Sequence, residues 1–310
     1  MSKSNKFSPV LLIIFNRPDT TSRVFERIRE AQPRQLYIAA DGPRSNVPAD
    51  VDLCNKTRQI AELVDWDCEV HRLFRDSNLG CKKGVSSAID WFFDHVDSGI
   101  ILEDDCLADI SFFRYCTELL EYYKSDERIG IISGDLFVDT SDIAESYYFS
   151  NFSHTWGWAT WRRVWKKFDL NMKTWPKDRE TDLVLRKTHD KYYAEKWKNI
   201  FQNTYMGKFD TWDYQVVYML WKQNQLSISP KVNLVSNIGF GPQSTHTRDS
   251  NSKFSCIPAK EISFPLSHPK SVYSNIEKDR YDLINSFGPI PSRFSPIINR
   301  IKKYLGCILN

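Results

Sequence analysis

Short unbroken apolar runs alternate, through the first half of the chain, with stretches whose apolar residues recur every three or four positions. The first pattern predicts buried strands and the second predicts helices with one buried face. Residues 10–15 predict the first strand. Asn16 is placed to cap the next helix, Pro18 suits its first turn, and Val24, Phe25 and Ile28 form its apolar stripe. A second strand over 36–40 ends at Asp41-Gly42, and the polar segment 43–55 reads as a surface loop. A helix through 60–64 leads to a third strand around 69–74. The loop RDSNLGCKKG follows, then a helix through 85–93, a strand over 99–102, a helix over 111–124 and a short strand over 129–133. Strands alternating with helices predict an α/β fold with a mainly parallel sheet and helices on both faces.

From about Tyr147 the pattern becomes less regular and turns rich in Trp, Tyr, Lys and Asn. A smaller aromatic-rich subdomain is expected there, giving three segments: 1–146, 147–265 and a C-terminal extension, 266–310. DTWDYQVVYMLWKQNQ predicts a helix capped near Thr211, and 231–235 a last strand. The loop 236–250 carries Gly239, Gly241 and Pro242, turn formers that suit a flap. In the tail, Ile297, Ile298, Ile301, Tyr304, Leu305 and Ile308 share one helical face beside Arg293, Arg300, Lys302 and Lys303. Such a basic amphipathic helix suits peripheral contact with an anionic membrane surface; docking on the protein's own core is the other reading.

Composition narrows the class. At 310 residues the chain can bury a substantial core, and a net charge of +3 does not by itself imply a nucleic-acid partner. Seven cysteines in an odd set, with no CxxC and no zinc spacing, fit a reducing, cytoplasmic setting. The run Pro9 to Phe15 mimics a signal peptide but is short and lacks a cleavage site, so a buried strand is expected.

The candidate chemistry concentrates in GIILEDDC, where a buried strand runs directly into Glu103, Asp104 and Asp105. Ligand crevices of open α/β sheets lie at the carboxyl ends of strands. Strand alternation would put Glu103 and Asp105 on one face and Asp104 on the other, offering two oxygen donors to a hard divalent cation. Three crowded carboxylates are costly unless a cation offsets them.

Four segments in order, LLIIFNRPDTTSRVFERI, LYIAADGPR, IILEDDCLADISFFRY and HTWGWATW, resemble GT-A glycosyltransferases. The likeness is to the N-acetylglucosaminyltransferase I-like branch and its bacterial relatives, and it covers roughly the first half of the chain. It implies a Rossmann-like GT-A fold, a nucleoside diphosphate sugar as donor, by preference a UDP-sugar, and Mn²⁺ or Mg²⁺ bridging the diphosphate. Asp105 would then ligate the metal, Asp104 would contact the ribose or a metal-bound water, and Glu103 would steady the acidic end. Arg17 would meet the diphosphate and Asp41 the nucleobase. Asn78, Gly80, Lys82 and Lys83 lie in a loop beside the same crevice, which matches neither the Walker nor the GxGxxG pattern. Trp156, Gly157 and Trp158 stand where relatives build the wall between donor sugar and acceptor. Asp213 resembles the base of an inverting transfer, with Asp210 as the fallback, and His246 a late metal or diphosphate ligand.

The expected reaction is transfer of a hexosyl or N-acetylhexosaminyl group to a glycan, or a lipid-linked glycan, in surface polysaccharide synthesis. The expected location is cytoplasmic, peripheral at the inner face of the membrane if the tail binds it. Two rivals remain: a sugar nucleotidyltransferase, which would normally carry a glycine-rich basic loop after the first strand, and a non-catalytic glycan-binding protein using the Trp cluster alone.

Overall fold

The computed structural model describes residues 7–241 and 252–291. His246, most of the expected flap and the basic tail lie outside the described residues. The chain opens as β1 (Val10–Ile14), α1 (Pro18–Ala31), β2 (Gln35–Ala40), α2 (Ala49–Ile60), β3 (Glu69–Phe74), α3 (Gly80–His95) and β4 (Ser98–Glu103). Then come β5 (Cys106–Ala108), α4 (Ile110–Tyr122), β6 (Ile129–Ser133), β7 (Tyr147–Ser150) and β8 (Trp158–Trp161). Helices α5 (Arg162–Trp165), α6 (Trp175–Asp178), α7 (Leu183–Thr188), α8 (Lys191–Tyr205) and α9 (Asp213–Lys222) follow, before β9 (Leu226–Pro230), β10 (Val235–Asn237) and α10 (Ile276–Phe287).

Eight strands form one sheet in the order β3-β2-β1-β4-β8-β6-β9-β7, and β5 pairs with β10 apart from it. Strands β3, β2, β1 and β4 are parallel neighbours, as are β6 and β9. Only β8 and β7 run against them. The result is a mixed but mostly parallel α/β sheet of the Rossmann-like type. All of β1 is buried, as a strand covered on both faces should be. Val24, Phe25 and Ile28 of α1 are buried as the stripe predicts, with Pro18 at the helix start.

Strands from both halves share this sheet, since β8 inserts between β4 and β6. The Trp-rich region supplies a second apolar cluster, in which Trp175, Trp197, Phe201 and Trp221 of α6, α8 and α9 pack together. Most of its aromatic residues are therefore core. Among the described residues, no helix is long and apolar enough to cross a membrane, and Cys54, Cys68, Cys81, Cys106, Cys116 and Cys256 are all free.

Several local expectations are corrected. Asn16 does not cap α1; its amide donates to Asp50 Oδ1 at 2.7 Å. The segment read as a loop over 43–55 already contains the start of α2, with Asp50 and Asp52 in its first turn, where carboxylates are favoured by the helix dipole. Lys82 is helical, not in a loop, because α3 begins at Gly80. The expected strand over 231–235 is replaced by β9 and β10 on either side. Strands β5, β7 and β8 were not anticipated.

Candidate functional site

The parallel strands β1, β2 and β4 deliver Arg17, Asp41 and the acidic triplet to one edge of the sheet. There a cavity of about 290 Å³ is lined by Phe15, Arg17, Asp41, Asn78, Glu103, Asp104 and Asp210, among others. Its position is the one that strand-end crevices occupy in open α/β sheets.

The acidic triplet is arranged differently from simple alternation. β4 ends at Glu103 and the chain turns, so Asp104 and Asp105 converge on one guanidinium. Arg17 donates to both oxygens of Asp104, and its Nη1 lies 2.9 Å from Asp105 Oδ2. Burial alone would lower the Arg17 pKa, but Asp104 and Asp105 override it and hold the group more firmly charged than usual. Burial, then the neighbouring Asp105 and Asp104, push the Glu103 carboxyl up. Burial also raises Asp104, against the pull of Arg17. Gly239 seals this arrangement from the loop after β10: a Cβ there would lie 2.1 Å from Asp105 Oδ2 and 2.6 Å from Arg17 Nη1.

The triplet has hard anionic oxygens suited to Mn²⁺ or Mg²⁺, and two of its three carboxylates are turned towards Arg17. Asp104 and Asp105 are already satisfied by Arg17. Among the described residues, no three His, Cys, Asp or Glu side chains are grouped to hold a metal ion.

Asp41 is the hub of the cavity's far wall. Its carboxylate accepts from the backbone N–H of Gly42 and Leu79 and from Asn78 Nδ2, each at 3.0 Å. Burial raises its pKa against those bonds. Asn78 also receives the N–H of Gly80 on Oδ1, so it fixes the entry to α3. Asp210 reaches across from the second half to accept the N–H groups of Cys81 at 3.2 Å and Lys82 at 3.1 Å. It thereby satisfies donors that every helix start leaves open. The fallback base is thus committed to capping α3, and Lys82 bonds it through its backbone.

A second cavity of about 220 Å³ is lined by residues that include Asp135, His154, Trp156, Trp197, Asp213 and Asp282. Asp213, in the first turn of α9, accepts from Thr211 Oγ1 and from the N–H of Tyr214, both on Oδ1. Its charge also helps push up Glu103 and the Cys81 thiol, both of which line the first cavity. Asp213 therefore lines the second cavity and acts electrostatically on two residues of the first.

The expected aromatic wall is only partly present. Trp156 lines the second cavity, edge-on to Phe137 at 5.1 Å. Trp158 is buried instead against Trp212, with ring centroids 5.7 Å apart. Gly157 has a φ of +71° and packs inward, since a Cβ there would lie 2.7 Å from Val235; its close approach is to the core.

Sequence reasoning missed Arg44, Arg75 and Cys81 on the first cavity and Asp135 and His154 on the second. Arg44 is tied to Asp50 at 2.6 Å, and Arg75 donates to Ser87 Oγ at 2.9 Å. The short step from Ser133 through Gly134 to Asp135 was the available signal for the second site, because it ends a buried strand as Glu103 does.

No protein-family model matches the chain, and no curated protein does. Among solved structures, UDP-glucose pyrophosphorylase complexed with UDP-glucose is similar at 8% identity and a TM-score of 0.37, over 72% of this chain and 90% of that one. 4-diphosphocytidyl-2C-methyl-D-erythritolsynthase from Anaerococcus prevotii DSM 20548 is similar at 8% identity and a TM-score of 0.32, over 56% and 85%. HddC from Yersinia pseudotuberculosis gives 7% identity and a TM-score of 0.33, over 52% and 80%. Likenesses this low carry no argument about activity.

Proposed function

We propose that the chain is a glycosyltransferase that moves a sugar from a nucleoside diphosphate donor, by preference a UDP-sugar, to a hydroxyl of a glycan with inversion. The observation that carries the reading is Asp213, a carboxylate lining the aromatic cavity whose charge is felt by Glu103 and Cys81 of the strand-end cavity. The donor would occupy the first cavity, its diphosphate competing with Asp104 and Asp105 for the Arg17 fork, which matches phosphate oxygens. Asp41 would stand at the nucleobase end. An acceptor hydroxyl entering from the second cavity would give its proton to Asp213 while its oxygen attacks the anomeric carbon. The bond to the diphosphate breaks in the same step, and the leaving charge falls towards Arg17.

A sugar nucleotidyltransferase is the second reading. It also uses a nucleotide-binding sheet, but here β1 is followed by Phe15-Asn16-Arg17-Pro18, which is not a glycine-rich loop. Incubation with a panel of UDP-sugars, with and without Mn²⁺, separates the readings. Release of UDP on adding a glycan acceptor supports transfer. Formation of UTP from UDP-sugar and added pyrophosphate would replace it with the nucleotidyltransferase, and neither product would leave the glycan-binding rival. The Mn²⁺ arm decides whether the cation implied by the family resemblance is needed.

A further inference from the structure

Buried side-chain polar atoms without hydrogen-bond partners are concentrated in one place. Of the nine such atoms among the described residues, four belong to side chains lining the second cavity: Asp135 Oδ1 and Oδ2, Ser153 Oγ and Trp197 Nε1. Asp135 is only 1% exposed. The backbone N–H groups of Asp135 and Trp156 lie close enough to favour its charged form without closing a bond of ordinary geometry. Buried polar groups are nearly always paired, so a cluster of exceptions asks for a missing partner.

The other carboxylates of this cavity already have theirs. Asp282 meets His154 Nε2 at 2.9 Å, and Asp213 is held by Thr211. We propose that the second cavity binds a single hydroxyl-rich sugar ring, with Asp135 and Ser153 on its hydroxyls, Trp197 donating to a ring substituent, and Trp156 along an apolar face. This rests on the glycosyltransferase reading for its role, because it makes the ring the acceptor whose hydroxyl meets Asp213.

The mixture of orphan groups selects the ligand class. The Asp135 carboxyl has acceptor oxygens in either protonation state, an indole N–H needs an acceptor, and a serine hydroxyl can serve as either. Sugar hydroxyls both donate and accept, whereas an ammonium group would leave the Trp197 N–H unpaired. At about 220 Å³ this cavity is the smaller of the two, which suits one ring rather than an extended chain. The face of Trp156 suits the C–H side of a pyranose. Asp135 is aimed here by the sheet: β6 runs in the direction of β1 and β4, and Gly134 N–H bonds Gly157 O at 2.8 Å just before it.

Titration of the wild-type chain with methyl α- and β-glycosides of glucose, galactose, mannose and N-acetylglucosamine, followed by intrinsic tryptophan fluorescence and calorimetry, tests the assignment. At least one glycoside should bind, and Asp135→Asn should weaken it tenfold or more while UDP affinity is unchanged. Ser153→Ala should weaken the same ligand by a smaller factor, which guards against a folding defect at Asp135. Binding of none of these glycosides, or equal affinity in Asp135→Asn, would overturn the proposal. Selective binding of methylammonium over the glycosides would overturn it too. Glycoside binding without any nucleotide-sugar turnover would sink the transferase reading and leave the subsite standing. Turnover with an unchanged acceptor KM in Asp135→Asn would do the reverse.

Discussion

Asp135 and His154 make the second cavity a pH-sensitive element at the level of single residues. Burial pushes the Asp135 carboxyl up to about 7, with nearby His154 pulling it back. Its folded pKa exceeds the unfolded value, so its contribution to stability is full below about 4 and is lost as pH rises to about 7. His154 would be lowered by burial, but Asp282 reverses this and holds it at about 9. That contribution is present below about 6.5 and is lost as pH rises through about 9. Asp135→Asn removes the first loss only. Its stability in denaturant melts should match wild type near pH 4 and exceed it by up to about 4 kcal/mol at pH 8; a constant difference across that range would show that Asp135 is not held in its neutral form. For Asp213, Asp213→Asn should reduce turnover by about a hundredfold or more, as removal of a general base does, with donor affinity kept. Steady-state kinetics beside UDP titration will show whether the loss lies in kcat alone.

At the scale of elements, the start of α3 depends on a carboxylate far away in sequence. Asp210 caps the Cys81 and Lys82 N–H groups with one carboxylate oxygen each, so Asp210→Ala should cost about 1 kcal/mol, and Asp210→Asn, whose single amide oxygen keeps only one of the two bonds, should cost less. Thermal melts of the two variants check this, and a loss of turnover in Asp210→Asn as large as in Asp213→Asn would return the base to Asp210. This long-range cap also explains why the sequence did not show where α3 begins: Gly80, with a φ of +78°, looks like a loop residue until its distant partner is seen. Strands β1, β2, β4 and β6 were legible from their apolar runs, and β3, half of it polar, from its place between a helix and a loop. Strands β7, β8 and β9 were not, since Tyr147–Ser150, Trp158–Trp161 and Leu226–Pro230 mix aromatic, hydroxyl and aliphatic residues that read equally well as a site wall or a helix. Among loop positions, Gly239→Ala should separate Arg17 from Asp105, because a Cβ cannot fit between them. UDP affinity in that variant should fall because Arg17 is pushed from where it meets the diphosphate, and the overpacking should cost about 1–3 kcal/mol of stability; calorimetry and melting together check both.

Across the whole molecule, the α/β class was readable from the alternation of strands and helices, and the order of the sheet was not, because β8 joins it from far along the chain. The candidate site was readable where chemistry clusters in sequence, as at Glu103 to Asp105, and unreadable where single residues meet only in space, as Asp135, Ser153 and Trp197 do. The proposed transfer requires the cavity at the ends of β1, β2 and β4 to take a nucleoside diphosphate between Arg17 and Asp41. Thermal denaturation with UDP, with and without Mn²⁺, tests it most directly, because a ligand bound only by the folded state stabilises by about 2.7 kcal/mol at a hundred times its Kd. UDP at saturation should raise the melting temperature by a few degrees in the wild-type chain and much less in Arg17→Ala. An unchanged melting temperature under both metal conditions, or an equal rise in Arg17→Ala, would contradict it.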